Sequence, residues 1–392
     1  MPDTSIFPRS SRRSLLRALL GGAALAAPAF SALAQRDTSS AEGVGRGFAS
    51  RERVRFGAGP IGIALFVPPS EGIYQRATHA LVEGVRAAHL RDGAGITVEV
   101  VEIDLDLIAL RGLYDELLQR GFSMVIGPLT RDAVALIADS GAPPVFTLAL
   151  NQVEGRTLPP NMLSLGLSIE SEARQAASIA WEEAALVVRH PRAALVQDDT
   201  PLGARSTTAF AERWRQRGGD VFDPITVEEN ASSGRMRARL APLNPDVCFV
   251  AGQPVLAQAV RVALGPRAVI YGTSRLNTGA VLTDAAAGTP YAVRSPELDG
   301  VRLVDLPWRV QPDAPAVMAY PRPADMNLEV QKLYALGIDA FRVARLLVSR
   351  APAIHLDGVT GRLRLSADGT TIEREGVLTE YREGILVPLT AP

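Results

Sequence analysis

The chain has 392 residues, with 41 Lys and Arg balanced by 42 Asp and Glu for a formal net charge of −1. The charges are dispersed, which excludes a nucleic-acid surface built on a basic patch with interleaved aromatics. Cys248 is the single cysteine, lying in the apolar run Val247-Cys248-Phe249-Val250, so no internal disulfide can form and packing is its expected role.

The first 34 residues read as a signal peptide. Ser11-Arg12-Arg13-Ser14-Leu15-Leu16-Arg17 precedes a weakly hydrophobic, Ala- and Gly-rich run from Leu19 to Phe30. That run is well short of the ~20 apolar residues needed to span a bilayer. Ala32-Leu33-Ala34 offers the small-x-small pattern of a cleavage site, with Gln35 as the mature start. An accidental arginine pair in an ordinary basic signal region is the alternative; the SRR-x-L-L pattern and the weak hydrophobicity favour the twin-arginine route. No Cys lies near the cleavage site to carry a lipid anchor, and no second hydrophobic span follows, so a soluble periplasmic product is expected. The polar, aperiodic stretch after Gln35 predicts a flexible leader over 35–56.

From Ile61 the chain alternates short apolar runs with helical periodicity. Strand-like runs are Ile61–Val67, Ile96–Val101, Ser123–Ile126 and Val145–Leu150. Between them Ala77, Leu81, Val85 and Ala88, then Leu110, Leu113 and Leu117, then Val134 and Ile137 recur at helical spacing. A polar break at Asn151–Asn161 precedes a second series. It comprises an extended Met162–Leu167, a helix over Glu170–Val188, strands at Ala193–Val196, Val247–Ala251 and Ala268–Tyr271, and helices over Ala204–Arg217 and Val255–Leu264. This rhythm implies parallel strands with right-handed crossovers. The predicted fold is α/β, with two similar lobes, each a mostly parallel sheet flanked by helices, and several crossings between them. Lobe 1 is expected over 57–165 and 275–350, lobe 2 over 166–274 and 351–392. In the last third, Leu303–Trp308 reads as a strand ended by Pro307 and Leu328–Val348 as a long helix. Gly361–Leu365 and Gly376–Tyr381, joined at Ala367-Asp368-Gly369, read as a small antiparallel addition.

Catalytic groups are sparse. His79, His89, His190 and His355 show no metal-ligand spacing, and His79 and His89, ten residues apart on one helix, are more simply surface or boundary residues. There is no phosphate loop and no G-x-S-x-G elbow. Asp104-Leu105-Asp106 and Asp198-Asp199 could form an acid–base pair in a hydrolase, but helix capping explains them better. No enzyme activity, cofactor or metal is expected.

In open parallel sheets, ligands sit beyond the carboxyl ends of the strands, where helix N-termini offer free N–H groups. Those positions give the cleft candidates Ser70, Gly72, Tyr74, Thr130, Asn151, Gln152, Ser168, Asp198, Ser274 and Arg275. For Ser70, Thr130 and Ser274, capping of the residue's own helix competes with ligand binding.

Several stretches carry a family resemblance by their order and spacing: Val125-Ile126-Gly127-Pro128-Leu129, Leu148-Ala149-Leu150-Asn151-Gln152, Leu167 to Ala177, and Ala209 to Trp214. Thr273-Ser274-Arg275, Leu298-Asp299-Gly300-Val301, Leu333 to Ala340 and Gly358-Val359-Thr360-Gly361 complete the set. Together they resemble penicillin-binding-protein activators of the LppC/LpoA type, in the part built on the type I periplasmic-binding-protein fold. The resemblance implies a regulator that contacts a bifunctional peptidoglycan synthase. Family members are typically lipoproteins, and some carry an N-terminal helical-repeat domain; here only a short leader is expected before Ile61. The alternative is a solute receptor binding an amino acid or muropeptide in the cleft. Glu71, in the loop where such receptors clamp a carboxylate, disfavours an anion.

Overall fold

The apolar runs of the sequence become the centres of two mostly parallel sheets. A computed structural model describes residues 53–389, apart from 154, 228–232, 267, 280, 284–289 and 293. The signal segment and residues 35–52 of the expected leader lie outside the described residues.

The first sheet holds Arg55–Phe56 (β1), Ile61–Val67 (β2), Ile96–Glu102 (β3), Met124–Ile126 (β4), Thr147–Ala149 (β5) and Met162–Ser164 (β6), in the order β1-β3-β2-β4-β5-β6. All pairs from β2 to β6 are parallel; β1, at the end of the expected leader, is instead an antiparallel edge strand on β3. Gln75–Asp92 (α1), Leu107–Gln119 (α2) and Arg131–Asp139 (α3) are the crossovers. Strands covered on both faces are apolar throughout, and Ile63 to Val67 are fully buried.

Ile169–Ala185 (α4) opens the second lobe. Arg192–Asp198 (β7), Pro201–Gln216 (α5), Asp220–Val221 (β8), Ile225–Val227 (β9), Ser233–Leu240 (α6), Val247–Ala251 (β10), Pro254–Leu264 (α7) and Ile270–Thr273 (β11) follow. After a hairpin of Val281–Thr283 (β12) and Pro290–Ala292 (β13) comes Val301–Asp305 (β14). Short helices Pro307–Val310 (α8) and Pro315–Met318 (α9) lead to Leu328–Val348 (α10). His355–Asp357 (β15), Arg362–Leu365 (β16) and Ile372–Glu375 (β17) form a three-stranded antiparallel sheet. Val377–Arg382 (β18) and Ile385–Pro388 (β19) finish the second sheet, ordered β19-β18-β14-β11-β10-β7-β8, with β9 also on β7. Each sheet carries a hydrophobic cluster on either face.

The allocation of chain to lobes differs from the sequence expectation. Residues 275–305 stay with the second lobe, because β14 continues the parallel ladder from β11. Residues 351–375 return to the first, where Ile354, Val359, Leu363 and Ile372 join the cluster around β2 and α10. The turn at Ala367-Asp368-Gly369 therefore joins β16 to β17, while β18 leaves to pair antiparallel with β14. Leu303–Trp308 is not one strand: β14 ends at Asp305 and Pro307 starts α8, a position where a missing N–H costs nothing.

Two contacts hold the late segments against the first lobe. α10 packs along α1 with glycines at the crossing: a Cβ on Gly84 would lie 2.0 Å from the Tyr334 carbonyl oxygen, and one on Gly337 would lie 2.3 Å from that of Leu81. Further along α10, the fully buried Asp339 accepts from the N–H of Val359 and the N–H and hydroxyl of Thr360, fixing the turn after β15.

The chain passes between lobes at three places: after β6, at Leu306 and at Gly376. These passages are bonded to one another's surroundings. Ser164 donates its N–H to the Thr370 carbonyl at 3.0 Å, and the Gln175 amide bonds both the N–H and the carbonyl of Gly376 at 2.9 Å.

Candidate functional site

The cleft between the lobes is a cavity of about 680 Å³ at the carboxyl ends of the strands. From the first lobe Arg131, Asn151, Leu306, Glu329 and Lys332 line it; from the second come Glu172, Leu202, Arg205, Gln253, Ser274 and Arg275.

Local chemistry sets these positions. Thr130 caps α3, accepting from the Ala133 N–H at 3.4 Å, so the next residue, Arg131, projects at the cleft edge. Ser168 caps α4 through the Ser171 N–H at 3.2 Å, which sets Ile169 and Glu172 on the cleft wall. Asn151 donates to the Leu129 carbonyl and accepts from the Gln152 N–H, closing the turn after β5.

Of the sequence candidates, Asn151, Ser274 and Arg275 line the cleft. Asp198 stands behind Arg275, accepting its Nη2 at 2.7 Å while also accepting from Thr200 at the α5 cap. Thr130 and Ser168 act as caps at its margin. The other four do not converge there. The loop after β2 runs outward: Ser70 bonds Glu102 and borders a separate groove of about 770 Å³ along α1. Gly72 faces open space at φ +67° and Tyr74 is exposed. Gln152 emerges on the far side, because the Asn151 side chain is tied to Leu129, and lines a second cavity. Asp106 caps α2, accepting from the N–H groups of Ile108 and Ala109. His79 is exposed on the α1 groove, whereas His89 bonds the Ile96 carbonyl between the rings of Phe56 and Phe341.

Sequence reasoning missed the charges of the cleft. Glu170 sits between Arg131 of the first lobe, at 3.0 Å, and Arg205 of the second, at 2.8 Å. Burial alone would raise its carboxyl, yet its own backbone N–H, Arg131 and Ser168 together hold it below the ordinary range. Lys332 pairs with Glu329 at 2.9 Å and Arg275 with Asp198. Each of the four cations on the cleft wall therefore has a carboxylate partner from the chain itself. Only the acidic first turn of α4 hinted at this, since Glu170 and Glu172 follow a Ser cap.

Behind the cleft lies a buried polar junction. Glu172 accepts the Ser274 N–H at 3.0 Å and pairs with Arg374 of β17 at 3.0 Å. Asp305, fully buried, accepts from Asn277 and the Leu306 N–H and faces Arg309 at 3.4 Å. Burial raises its carboxyl to about 6, against the opposing charge of Arg309. Among the described residues no group of three or more His, Cys, Asp and Glu could hold a metal ion, and no helix is long and apolar enough to cross a membrane.

Two lobes of parallel sheet, three passages between them and a cleft at the strand ends define a protein of the type I periplasmic-binding-protein class. The family model described as "LppC putative lipoprotein" matches residues 59–230 and 247–384, and the chain belongs to that family. A relative from Haemophilus influenzae (strain ATCC 51907 / DSM 11121 / KW20 / Rd), named penicillin-binding protein activator LpoA, is 26% identical over 75% of this chain and 50% of its own length. The chain thus spans about half the length of the curated relatives it matches. Among solved structures, the C-domain of Haemophilus influenzae LpoA, described as a regulator of PBP1A, aligns at TM-score 0.66 with 23% identity, covering 84% of this chain and 100% of that one. A structure described as a "putative branched-chain amino acid ABC transporter" from Chromobacterium violaceum ATCC 12472 aligns at TM-score 0.66 with 32% identity, covering 82% and 99%.

Proposed function

We propose that this chain is a periplasmic, non-enzymatic regulator that docks on a bifunctional peptidoglycan synthase and stimulates cell-wall synthesis. Membership of the LppC family across both lobes carries this reading, supported by relatives named as penicillin-binding protein activators. The cleft is consistent with it. Cations paired with the chain's own carboxylates are poorly placed to clamp a free carboxylate, since a ligand would first have to displace internal partners. The strongly shifted carboxyl group near the cleft, Asp305, is fully buried behind it, where no substrate reaches. The Arg12-Arg13 pair and the Ala32-Leu33-Ala34 site support export, with a soluble product and the twin-arginine route as the finer reading.

The test is capture of purified bifunctional synthases on the immobilised full chain, paired with a glycan-polymerisation assay. Binding with a raised polymerisation rate is expected. Synthases that neither bind nor respond would remove the proposal.

A second reading, a receptor for a small solute, is favoured by the 32% identity to the Chromobacterium violaceum protein over 99% of its length. Nη1 of Arg275, on the cleft wall, also has no hydrogen-bond partner among the described residues. Calorimetry against amino acids and muropeptides separates the two. Tight binding without synthase capture would transfer the function to this reading.

A further inference from the structure

A second cavity of about 600 Å³ lies against a different face of α4 from the cleft. Ile169 and Glu172 face the cleft, whereas Ser171, Arg174, Gln175 and Ser178 line the second cavity. Their i, i+3, i+4, i+7 spacing makes one polar stripe, opposite the buried stripe of Ala173, Ala176, Ala177 and Ala180. Both lobes build the walls. The second contributes α4 and Arg213 of α5; the first contributes Gln152, Val153, Arg156 and the β16–β17 hairpin.

We propose that this cavity binds a small, hydroxyl-rich carboxylate of the sugar-acid class. Three observations carry the inference. Among its described lining residues none is aromatic and nine are Ser, Thr or Gln, so an apolar or aromatic ligand would gain little while a polyol finds donors and acceptors on every side. Among its described lining residues are five arginines; Arg156, Arg364 and Arg374 pair with carboxylates of the chain and Arg174 is also engaged, which leaves Arg213 to meet a ligand. Arg213 is held only by neutral groups, the Ser178 hydroxyl at 2.8 Å and the Gln216 amide at 3.5 Å, and among the described residues it has no carboxylate partner. A guanidinium positioned in this way keeps its charge and donors for one carboxylate, which it can take in fork geometry.

The third observation is Arg374, whose side chain is only 3% exposed. It lines the cavity with Nη2 on Glu172 and Nη1 on the Thr360 carbonyl, while its Nε has no partner among the described residues. A buried donor without an acceptor is costly, and a bound anion or hydroxyl oxygen would satisfy it. The volume falls in the ordinary range for small-molecule sites, about 300–1,000 Å³. The site is independent of the synthase reading, and its test is too.

Calorimetry on the full chain would use N-acetylmuramic acid and D-glucuronic acid as sugar acids, N-acetylglucosamine as the neutral control and inorganic phosphate as the competing anion. The acids are expected to bind at least about tenfold more tightly than the neutral sugar or phosphate, a factor of ten being one charge-assisted contact. Arg213→Gln should weaken the acids by at least roughly tenfold. Arg364→Gln, on the more exposed first-lobe wall, should fold normally and weaken them a few-fold, and Arg275→Gln in the cleft should leave them unchanged. Equal binding of the neutral sugar or of phosphate, no binding of the acids, or loss on Arg275→Gln with Arg213→Gln silent would each overturn the proposal.

Discussion

Glu172 and Arg374, 202 positions apart in sequence, meet at 3.0 Å with side chains 4% and 3% exposed, one from each lobe. The pair stands where the chain passes between lobes, and the other Glu172 oxygen holds the Ser274 N–H on the cleft wall. Breaking a buried pair strands a charge, so Arg374→Met is expected to cost about 3–5 kcal/mol in urea unfolding. Adding Glu172→Gln should recover a large part of that loss. A double variant no more stable than the single one would contradict the assignment.

The space around two helical glycines predicts opposite outcomes, one at the α1–α10 crossing and one exposed on α2. Gly337→Ala drives a methyl to 2.3 Å from the Leu81 carbonyl oxygen and 2.9 Å from the Val85 nitrogen. Overpacking of this kind costs about 1–3 kcal/mol or more. Gly112, exposed within α2, has nothing within 4 Å of an added Cβ, so Gly112→Ala should stabilise by about 0.5–1 kcal/mol. Thermal melts of the two variants should shift in opposite directions.

Asp305 predicts a pH dependence. Its carboxyl stands at about 6 in the folded protein because burial disfavours the charge, and near 3.9 in the unfolded chain. Between those values the folded state binds more protons than the unfolded one. Its contribution to stability is therefore fully present below about pH 4 and is lost as pH rises through about 6. Asp305→Asn removes the titration. The stability of the parent relative to this variant should rise by about 2 kcal/mol on going from pH 7 to pH 4, most of what the two-unit shift supplies. Denaturation curves at those pH values give the difference directly; a constant difference would refute the assignment.

Cys248 lies on β10 at 1% exposure, and burial pushes its thiol up to about 12. Reagents attack the thiolate, so labelling by a maleimide should be very slow in the folded protein and complete once it unfolds. A labelling rate that follows the unfolding transition is expected. Rapid labelling without denaturant would contradict it.

Much of the fold was legible because burial on both faces of a parallel strand demands continuous apolar runs. Ile61–Val67 and Val247–Ala251 could be read as central strands for that reason. The Thr130 cap was legible too, since it precedes a helical pattern, whereas Ser168, a cleft candidate by position, caps α4. Half of the cleft was not. The loop after β2 follows a strand end as the cleft loops do, yet Ser70 is drawn to Glu102 on β3 and the loop turns outward.

The sequence by itself determined the central elements, their parallel pairing and the family, because periodicity, capping and motif spacing are local properties. Tertiary structure alone decided which lobe each late segment joins. β14 and β18 are both short strands of mixed apolar and charged residues, and only the open edge beyond β11 assigns them to the second sheet. It also decided the electrostatics. Glu170 meets Arg131 and Arg205, and Glu172 meets Arg374, across separations of 35 to 202 residues. No local pattern encodes such pairs, because they form only where distant elements pack together, within the second lobe for Glu170–Arg205 and between the lobes for Glu170–Arg131 and Glu172–Arg374.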